Sequence, residues 1–222
     1  MAINLVWFKR DLRLDDHAPL KAAIASGRPC LLLYCFVPAL LDNPHYRSRH
    51  WRFVQQSLSD MDQRLAAVGT SVVQVEGDVL ELFAHIHREQ GIAAVYSHEE
   101  TGLDVTFRRD IAVAQWLRER SIPWLESPSN GVQRGRRDRD GWNRDWHRTM
   151  KSPPARPELA RLRAVSLDRD SALARYEVQQ REAWDAPSMM QGGGEGLAWQ
   201  TLDSFFGERG ANYHLAISKP AA

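Results

Sequence analysis

The sequence predicts an α/β protein: a doubly wound, five-stranded parallel sheet of Rossmann-like order 3-2-1-4-5 with a partly helical C-terminal extension. Three observations carry this. Short apolar runs rich in β-branched and aromatic residues recur five times in the first 127 residues, each of strand length. Amphipathic stretches of helical period lie between them. Such alternation builds parallel sheets covered by helices on both faces, and the handedness of the crossovers leaves few strand orders open.

The first strand spans residues 3–8. A helix over 16–25 follows, with Asp15 as its cap and Pro19 in its first turn, where no N–H is needed. Residues 30–37 (CLLLYCFV) form the second strand. Within 46–68, apolar side chains recur at Trp51, Val54, Leu58, Met61, Leu65 and Val68, the spacing of one helical face, and Gly69 supplies the stop. The third strand covers 71–76. Asp78 then caps a helix that groups Val79, Leu82, Phe83 and Ile86 and ends at Gly91. Residues 93–97 make the fourth strand. A helix over 104–120 is expected to bury Phe107, Ile111, Ala114 and Leu117, and 122–126 closes the sheet.

The character changes after Glu126. Residues 130–148 are strongly polar, with six Arg and three Asp from Arg134 onward; three prolines fall in 152–157; Gly192 to Gly194 precede a last helical stretch over 195–208. The predicted organisation is an α/β domain over 1–130, a connector over 131–194 and a terminal helical piece over 195–222. Apolar residues in 151–191 are too sparse for a second core.

At ~150 residues per domain, 222 residues make one large domain or a domain with a tail. With 43% hydrophobic and 26% charged residues, the chain has ample material for a core. Its formal charge of +1 excludes a globally basic nucleic-acid coat but not a local basic patch. No apolar run approaches the ~20 residues that cross a bilayer, and no export signal opens the chain. A cytoplasmic, monomeric protein with no membrane partner is expected. Cys30 and Cys35, five apart in one strand, face opposite sides and cannot bridge. No ligand spacing suggests zinc.

In a doubly wound sheet, ligands bind at the carboxyl ends of the strands flanking the reversal of order. Here those ends carry Arg10, Asp11 and Arg13 on one side and His98, Glu99, Glu100 and Thr101 on the other, with Phe36 and Val37 at the end of the neighbouring strand. The first turn has no glycine before Gly27, so a dinucleotide pyrophosphate has no backbone cradle there, and no phosphate-binding loop of the GxxxxGK type exists. Two guanidinium forks could instead grip a carboxylate or phosphate, or pair with Asp11 and hold the turn. His98, Glu99 and Glu100 could orient a heterocycle or form a solvated capping loop. No Ser–His–Asp or Cys–His set is visible. In RGRRDRDGWNRDWHR, tryptophans interleave with cations as nucleic-acid surfaces require, but three aspartates offset the charge. Trp142 and Trp146 are expected to pin the loop to the body.

At these residues the sequence resembles the DNA photolyase and cryptochrome family. The opening LVWFKRDLRLDDHAPL is similar to the family's Trp-Phe-basic-Arg-Asp-Leu-Arg pattern. The resemblance continues through FVQQSLSDMDQRLAAVGTSVVQVEGD, YSHEETGLDVTFRRDIAVAQWL, NGVQRGRRDRDGWNRDWHRTM and the Gly-Gly start of the last helix. It implies the antenna-chromophore domain of a light-driven enzyme whose larger helical domain holds FAD and repairs pyrimidine dimers in DNA. By this resemblance the chain reads as that domain, the connector and the threshold of the FAD domain, without catalytic residues of its own. Tyr213, in ANYHLAISKP, matches a family tyrosine near the FAD phosphates; the Thr-Ser-x-Leu-Ser segment that should follow is not in the sequence. Family members that bind methenyltetrahydrofolate often carry an Asn-Glu pair where this chain has Val105 and Thr106. A flavin or deazaflavin antenna is therefore favoured over the folate. The alternative, of a different class, is a non-catalytic light sensor or nucleotide-binding module.

Overall fold

The computed structural model describes residues 1–165, 173–179, 181, 184 and 190–216. Its five-stranded parallel sheet has β1 (Ile3–Phe8) at the centre, between β2 (Cys30–Phe36) and β4 (Ile92–His98). Outside these lie β3 (Val73–Glu76) and β5 (Trp124–Ser127), so the order is β3-β2-β1-β4-β5. Leu5 stands opposite both Leu31 and Val95. Every residue of β1 and β2 is buried. That is why these strands read as unbroken apolar runs: a parallel strand covered on both sides has no solvent face.

The two-residue period splits the strands between two cores. Leu5, Trp7, Leu31 and Leu33 face one, closed by α4 (Val79–Gln90) and α5 (Asp104–Glu119). Val6, Phe8, Leu32 and Phe36 face the other, closed by α1 (Ala18–Ala25) and α3 (Ser48–Leu65). A short turn of helix, α2 (Pro38–Leu41), follows β2. Cys35 belongs to the first core and Cys30 to the second, both as free thiols.

Three local expectations fail for identifiable reasons. The cap of α1 is His17, whose Nδ1 accepts the Leu20 N–H at 3.0 Å; Asp15 instead pairs with Arg64 at 2.8 Å. The inward face of α5 carries Thr106, Asp110, Val113 and Leu117, while Phe107 and Ile111 are 48% and 54% exposed. Asp110 turns inward because it neutralises the buried Lys9, a constraint that apolar periodicity does not register. The third strand starts two residues late because the Val72 N–H is taken by Asp62 Oδ1 at 2.7 Å.

The segment after β5 does not leave the body. α6 (Trp142–Lys151) follows the arginine-rich loop. Beyond it, Cys30 donates to the Arg163 carbonyl at 2.7 Å and Val165 donates back to the Cys30 carbonyl at 2.9 Å. β3 pairs with β2 only from Leu33 onward, so this bridge occupies ladder positions that β3 leaves open. Leu173 and Tyr176 enter the first core, and Trp184 stacks on Phe36 at 5.4 Å in the second. Leu173, Tyr176 and Trp184 are thus spent on the α/β body. The next helix, α7 (Glu195–Ser204), passes into a π-turn over Phe205–Arg209 instead of continuing regularly to Glu208, and a single helical turn, α8 (Tyr213–Ala216), follows. α7 is docked through Gly193, where a Cβ would collide with the Phe53 carbonyl oxygen of α3. No helix among the described residues is long and apolar enough to cross a membrane.

Candidate functional site

Two adjoining hollows open at the carboxyl ends of the strands. The larger, about 660 Å³, lies between the ends of β1 and β2, the start of α3 and residues 190–198. The smaller, about 280 Å³, lies between the ends of β1 and β4 with Ser129 and Asn130 at its edge. Lys9, Arg10, Asp11, Arg13 and Glu100 border both. The reversal of strand order creates this site, because the connections leaving β1 and β4 diverge to opposite faces.

The floor is a buried ionic lattice. Asp11 is 6% exposed and accepts the Lys9 N–H on Oδ1 at 2.8 Å. Its Oδ2 accepts from His17 Nε2 at 2.8 Å and His98 Nδ1 at 2.5 Å. Burial alone would raise the Asp11 pKa, but the two histidine donors and their charge hold it well below the carboxylate value of 3.8. The arginines that flank Asp11 in sequence do not pair with it. Arg13 donates to the Asp16 carbonyl at 2.9 Å, and Arg10 is exposed at the rim. A hydrogen-bonded histidine pair outbids them for the carboxylate.

Asp11, His17 and His98 bring their ligand atoms within 4.8 Å of one another, a grouping that could hold a metal ion. The tautomer of His17 argues against it. Its Nδ1 accepts the Leu20 N–H, so neutral His17 carries its proton on Nε2, the atom that faces Asp11. A metal there would have to displace that proton and cost the cap of α1.

A second lattice lies alongside. Lys9 Nζ meets Asp110 Oδ2 at 2.9 Å and stands over Trp7, 4.9 Å from the ring centroid. Arg109 joins Asp110 at 2.7 Å and Glu100 at 3.3 Å, and its guanidinium also covers Trp7 at 4.7 Å. Glu100, 4% exposed, accepts the Thr101 and Gly102 N–H groups at 2.9 and 2.7 Å. Its carboxylate is consumed in shaping the loop. Glu99 is half-buried, 3.9 Å from Arg134, and Thr101 is exposed.

Phe36 and Val37 do not line either hollow; Phe36 lies under Trp51 and Trp184. The apolar wall comes instead from Leu40, Tyr46 and Trp51, with Tyr46 stacked on Trp51 at 5.1 Å. Arg49 adds a third rim guanidinium beside Arg10 and Arg13. Sequence reasoning missed Tyr46 and Arg49; the signal was the aromatic start of the α3 face at Trp51, treated there as core only.

Neither Cys35 nor Ser97 is set up as an activated nucleophile. Burial pushes the Cys35 thiol up to about 12, and its Sγ donates to the Gly77 carbonyl at 3.3 Å. Ser97 Oγ donates to the His98 carbonyl and accepts from Trp124 Nε1, so it makes no pair with a histidine ring. The arrangement combines an aromatic wall, a cationic rim and a buried ionic floor.

The family profile described as DNA photolyase matches residues 4–133, more than half of the chain and all of the sheet but Ile3. The chain belongs to the DNA photolyase family. It is 33% identical over 101 residues to cryptochrome DASH of Synechocystis, covering 43% of this chain and 21% of that protein. Against the deoxyribodipyrimidine photo-lyase of Synechococcus it is 28% identical over 96 residues, covering 43% of this chain and 20% of that protein. The fold matches a bacterial class III photolyase from Agrobacterium tumefaciens with a TM-score of 0.70 at 20% identity, over 97% of this chain and 46% of that one. An archaeal photolyase from Sulfolobus tokodaii, described with two FAD molecules, matches with a TM-score of 0.67 at 17% identity, over 90% of this chain and 46% of that one. The chain thus spans about a fifth of the length of these curated relatives, and about half of the family members of known structure. Its sheet order, 3-2-1-4-5, is that of the family's N-terminal domains.

Proposed function

We propose that the cleft holds a light-harvesting chromophore, a flavin or deazaflavin, in a photolyase or cryptochrome-like protein of which this chain forms the N-terminal part. The observation that supports it is the adjacency, in one hollow of about 660 Å³, of the Leu40–Tyr46–Trp51 wall to Arg10, Arg13 and Arg49. A planar heterocycle needs the first, and its acidic substituents need the second. Residues 190–198 close one side, so the chain supplies walls from both its sheet and α7. When bound, such a pigment absorbs near-ultraviolet or blue light and passes the excitation to FAD elsewhere in the longer protein, whose partner is DNA carrying pyrimidine dimers. Tyr213, 50% exposed and packed edge-on to Phe205 at 5.3 Å, belongs to that FAD reading and not to the cleft.

A folate antenna has less support. Thr106 borders the cleft, but its hydroxyl is already donated to the Leu103 carbonyl at 2.7 Å. Val105 offers no polar group.

The test is a titration of the chain with FMN, a deazaflavin and methenyltetrahydrofolate, followed by absorbance and fluorescence. A flavin-type pigment is expected to bind, and Arg10→Ala or Arg49→Ala to weaken it by at least ~1 kcal/mol, the cost of a lost charged hydrogen bond. Binding of the folate alone, or a flavin affinity indifferent to both substitutions, overturns the assignment.

A further inference from the structure

One buried side chain at the carboxyl ends of the strands has a polar atom left over. His98, with its side chain 5% exposed, lines the smaller hollow and spends Nδ1 on Asp11 at 2.5 Å. Its Nε2 makes no hydrogen bond among the described residues, yet it is not one of the side-chain atoms stranded in the interior. A carboxylate behind one ring nitrogen fixes the ring's orientation and leaves the other nitrogen for whatever occupies the hollow.

The charges around this hollow are unequally answered. Lys9 meets Asp110, Glu100 meets Arg109, Glu99 stands near Arg134, and Asp11 is held by two histidines. Arg10 and Arg13 pair with no carboxylate among the described residues, and Arg13 spends only one N–H, on the Asp16 carbonyl. Gly102 leaves room for Arg10: a Cβ there would lie 2.9 Å from Arg10 Nη1, so the guanidinium reaches over the loop that leaves β4. Thr101, Ser129 and Asn130 complete the border with neutral hydrogen-bonding groups.

We propose that the smaller hollow binds a phosphomonoester, gripped by Arg10 and Arg13 and sharing a proton with His98 Nε2. At about 280 Å³ the hollow is smaller than ordinary ligand pockets and suits a head group, not a ring system. The guanidinium fork matches two phosphate oxygens. A phosphomonoester releases its second proton at about pH 6, so it can hold one in common with the facing imidazole. A carboxylate ligand, fully ionised at neutral pH, brings no proton to that nitrogen. A divalent cation would meet two guanidinium groups that no carboxylate offsets. The phosphate has two possible sources. Arg10 and Arg13 border both hollows, so it is either the tail of the pigment next door or a separate small ester.

The experiment is calorimetric titration of the full chain with phenyl phosphate and with phenyl sulfate, which has the same shape and no second proton. Phenyl phosphate is expected to bind with a Kd below about 1 mM and at least about tenfold more tightly than the sulfate ester. His98→Gln, which keeps a donor for Asp11 and removes the imidazole, is expected to lose at least about tenfold for phenyl phosphate and to erase the preference. Thermal unfolding accompanies the titrations; if that variant fails to fold, Arg10→Gln with Arg13→Gln at the rim is expected to lose at least about tenfold for both esters. Fluorescence titrations with FMN and riboflavin then separate the sources: FMN tighter by at least about tenfold assigns the phosphate to the pigment, and equal affinities assign it to a separate ester. Only this arm rests on the chromophore reading of the cleft. If neither flavin binds while phenyl phosphate does, that reading fails and this site stands. No phenyl phosphate binding at about 1 mM, equal affinity for the sulfate ester, or wild-type affinity in the variants overturns the proposal.

Discussion

The imidazoles of His17 and His98 meet edge to face, ring centroids 4.6 Å apart, and both reach the same carboxylate oxygen, Oδ2 of Asp11. One acid therefore ties the end of β1 to the cap of α1 and the end of β4, the three elements beneath the cleft. Removing it strands two buried donors and the Lys9 N–H. Asp11→Ala is expected to cost about 3–5 kcal/mol, read by urea denaturation. Asp11→Asn, which keeps an acceptor oxygen, is expected to cost less. A loss under about 1 kcal/mol in Asp11→Ala contradicts the account.

The same network makes stability depend on pH. Burial lowers the His17 pKa below 6.5 against the pull of Asp11, and Asp11 itself lies well below 3.8. Both groups bind fewer protons folded than unfolded, so both stabilise the fold as pH rises. The His17 contribution is complete above about 6.5 and is lost as pH falls toward its folded value; that of Asp11 is lost at lower pH still. The melting temperature is therefore expected to fall between about pH 7 and about pH 5. His17→Asn, which retains a capping side chain, is expected to flatten that fall. An unchanged acid slope in the variant sinks this reading.

Trp184 is 3% exposed and stacks on both Phe36 and Trp51, although it lies more than fifty residues beyond β5. Trp184→Ala is expected to destabilise the α/β body by about 3–5 kcal/mol. Equilibrium unfolding measures it, and a neutral substitution would return this segment to the role of a passive connector.

Gly193 seats α7 against α3. Gly193→Ala is expected to cost about 1–3 kcal/mol through the collision with the Phe53 carbonyl. Limited proteolysis should then release residues 195–216 earlier than in the parent chain. Equal resistance in both proteins would mean that the helix is held elsewhere, through Arg64 and Glu195.

The sheet was legible because burial on both faces writes itself as unbroken apolar runs, CLLLYCFV the clearest. The position of the cleft followed from strand order, and the residues at its two ends were read from the turns there. What escaped was polar commitment. Nothing in RDLR says that Asp11 will prefer His17 and His98 over its neighbouring arginines, since those partners lie 6 and 87 positions away. The phase of α5 was misread because an inward aspartate looks like a surface residue until Lys9 is seen beneath it. Trp184 and Tyr176 looked too isolated for a core because each completes one built by distant strands.

The bridge between Cys30 and Ala164 has a consequence for how the chain comes to be folded. Until residues 163–165 arrive, the start of β2 carries unpaired N–H and C=O groups of the kind that recruit strands from other molecules. On a ribosome the five strands are complete well before that patch is made. Pairing across so long a stretch also raises contact order, so closure is expected to be late and slow. Nascent or shortened chains that end between β5 and Arg163 would keep a sticky margin, and aggregation of such chains at micromolar concentration is the behaviour to look for.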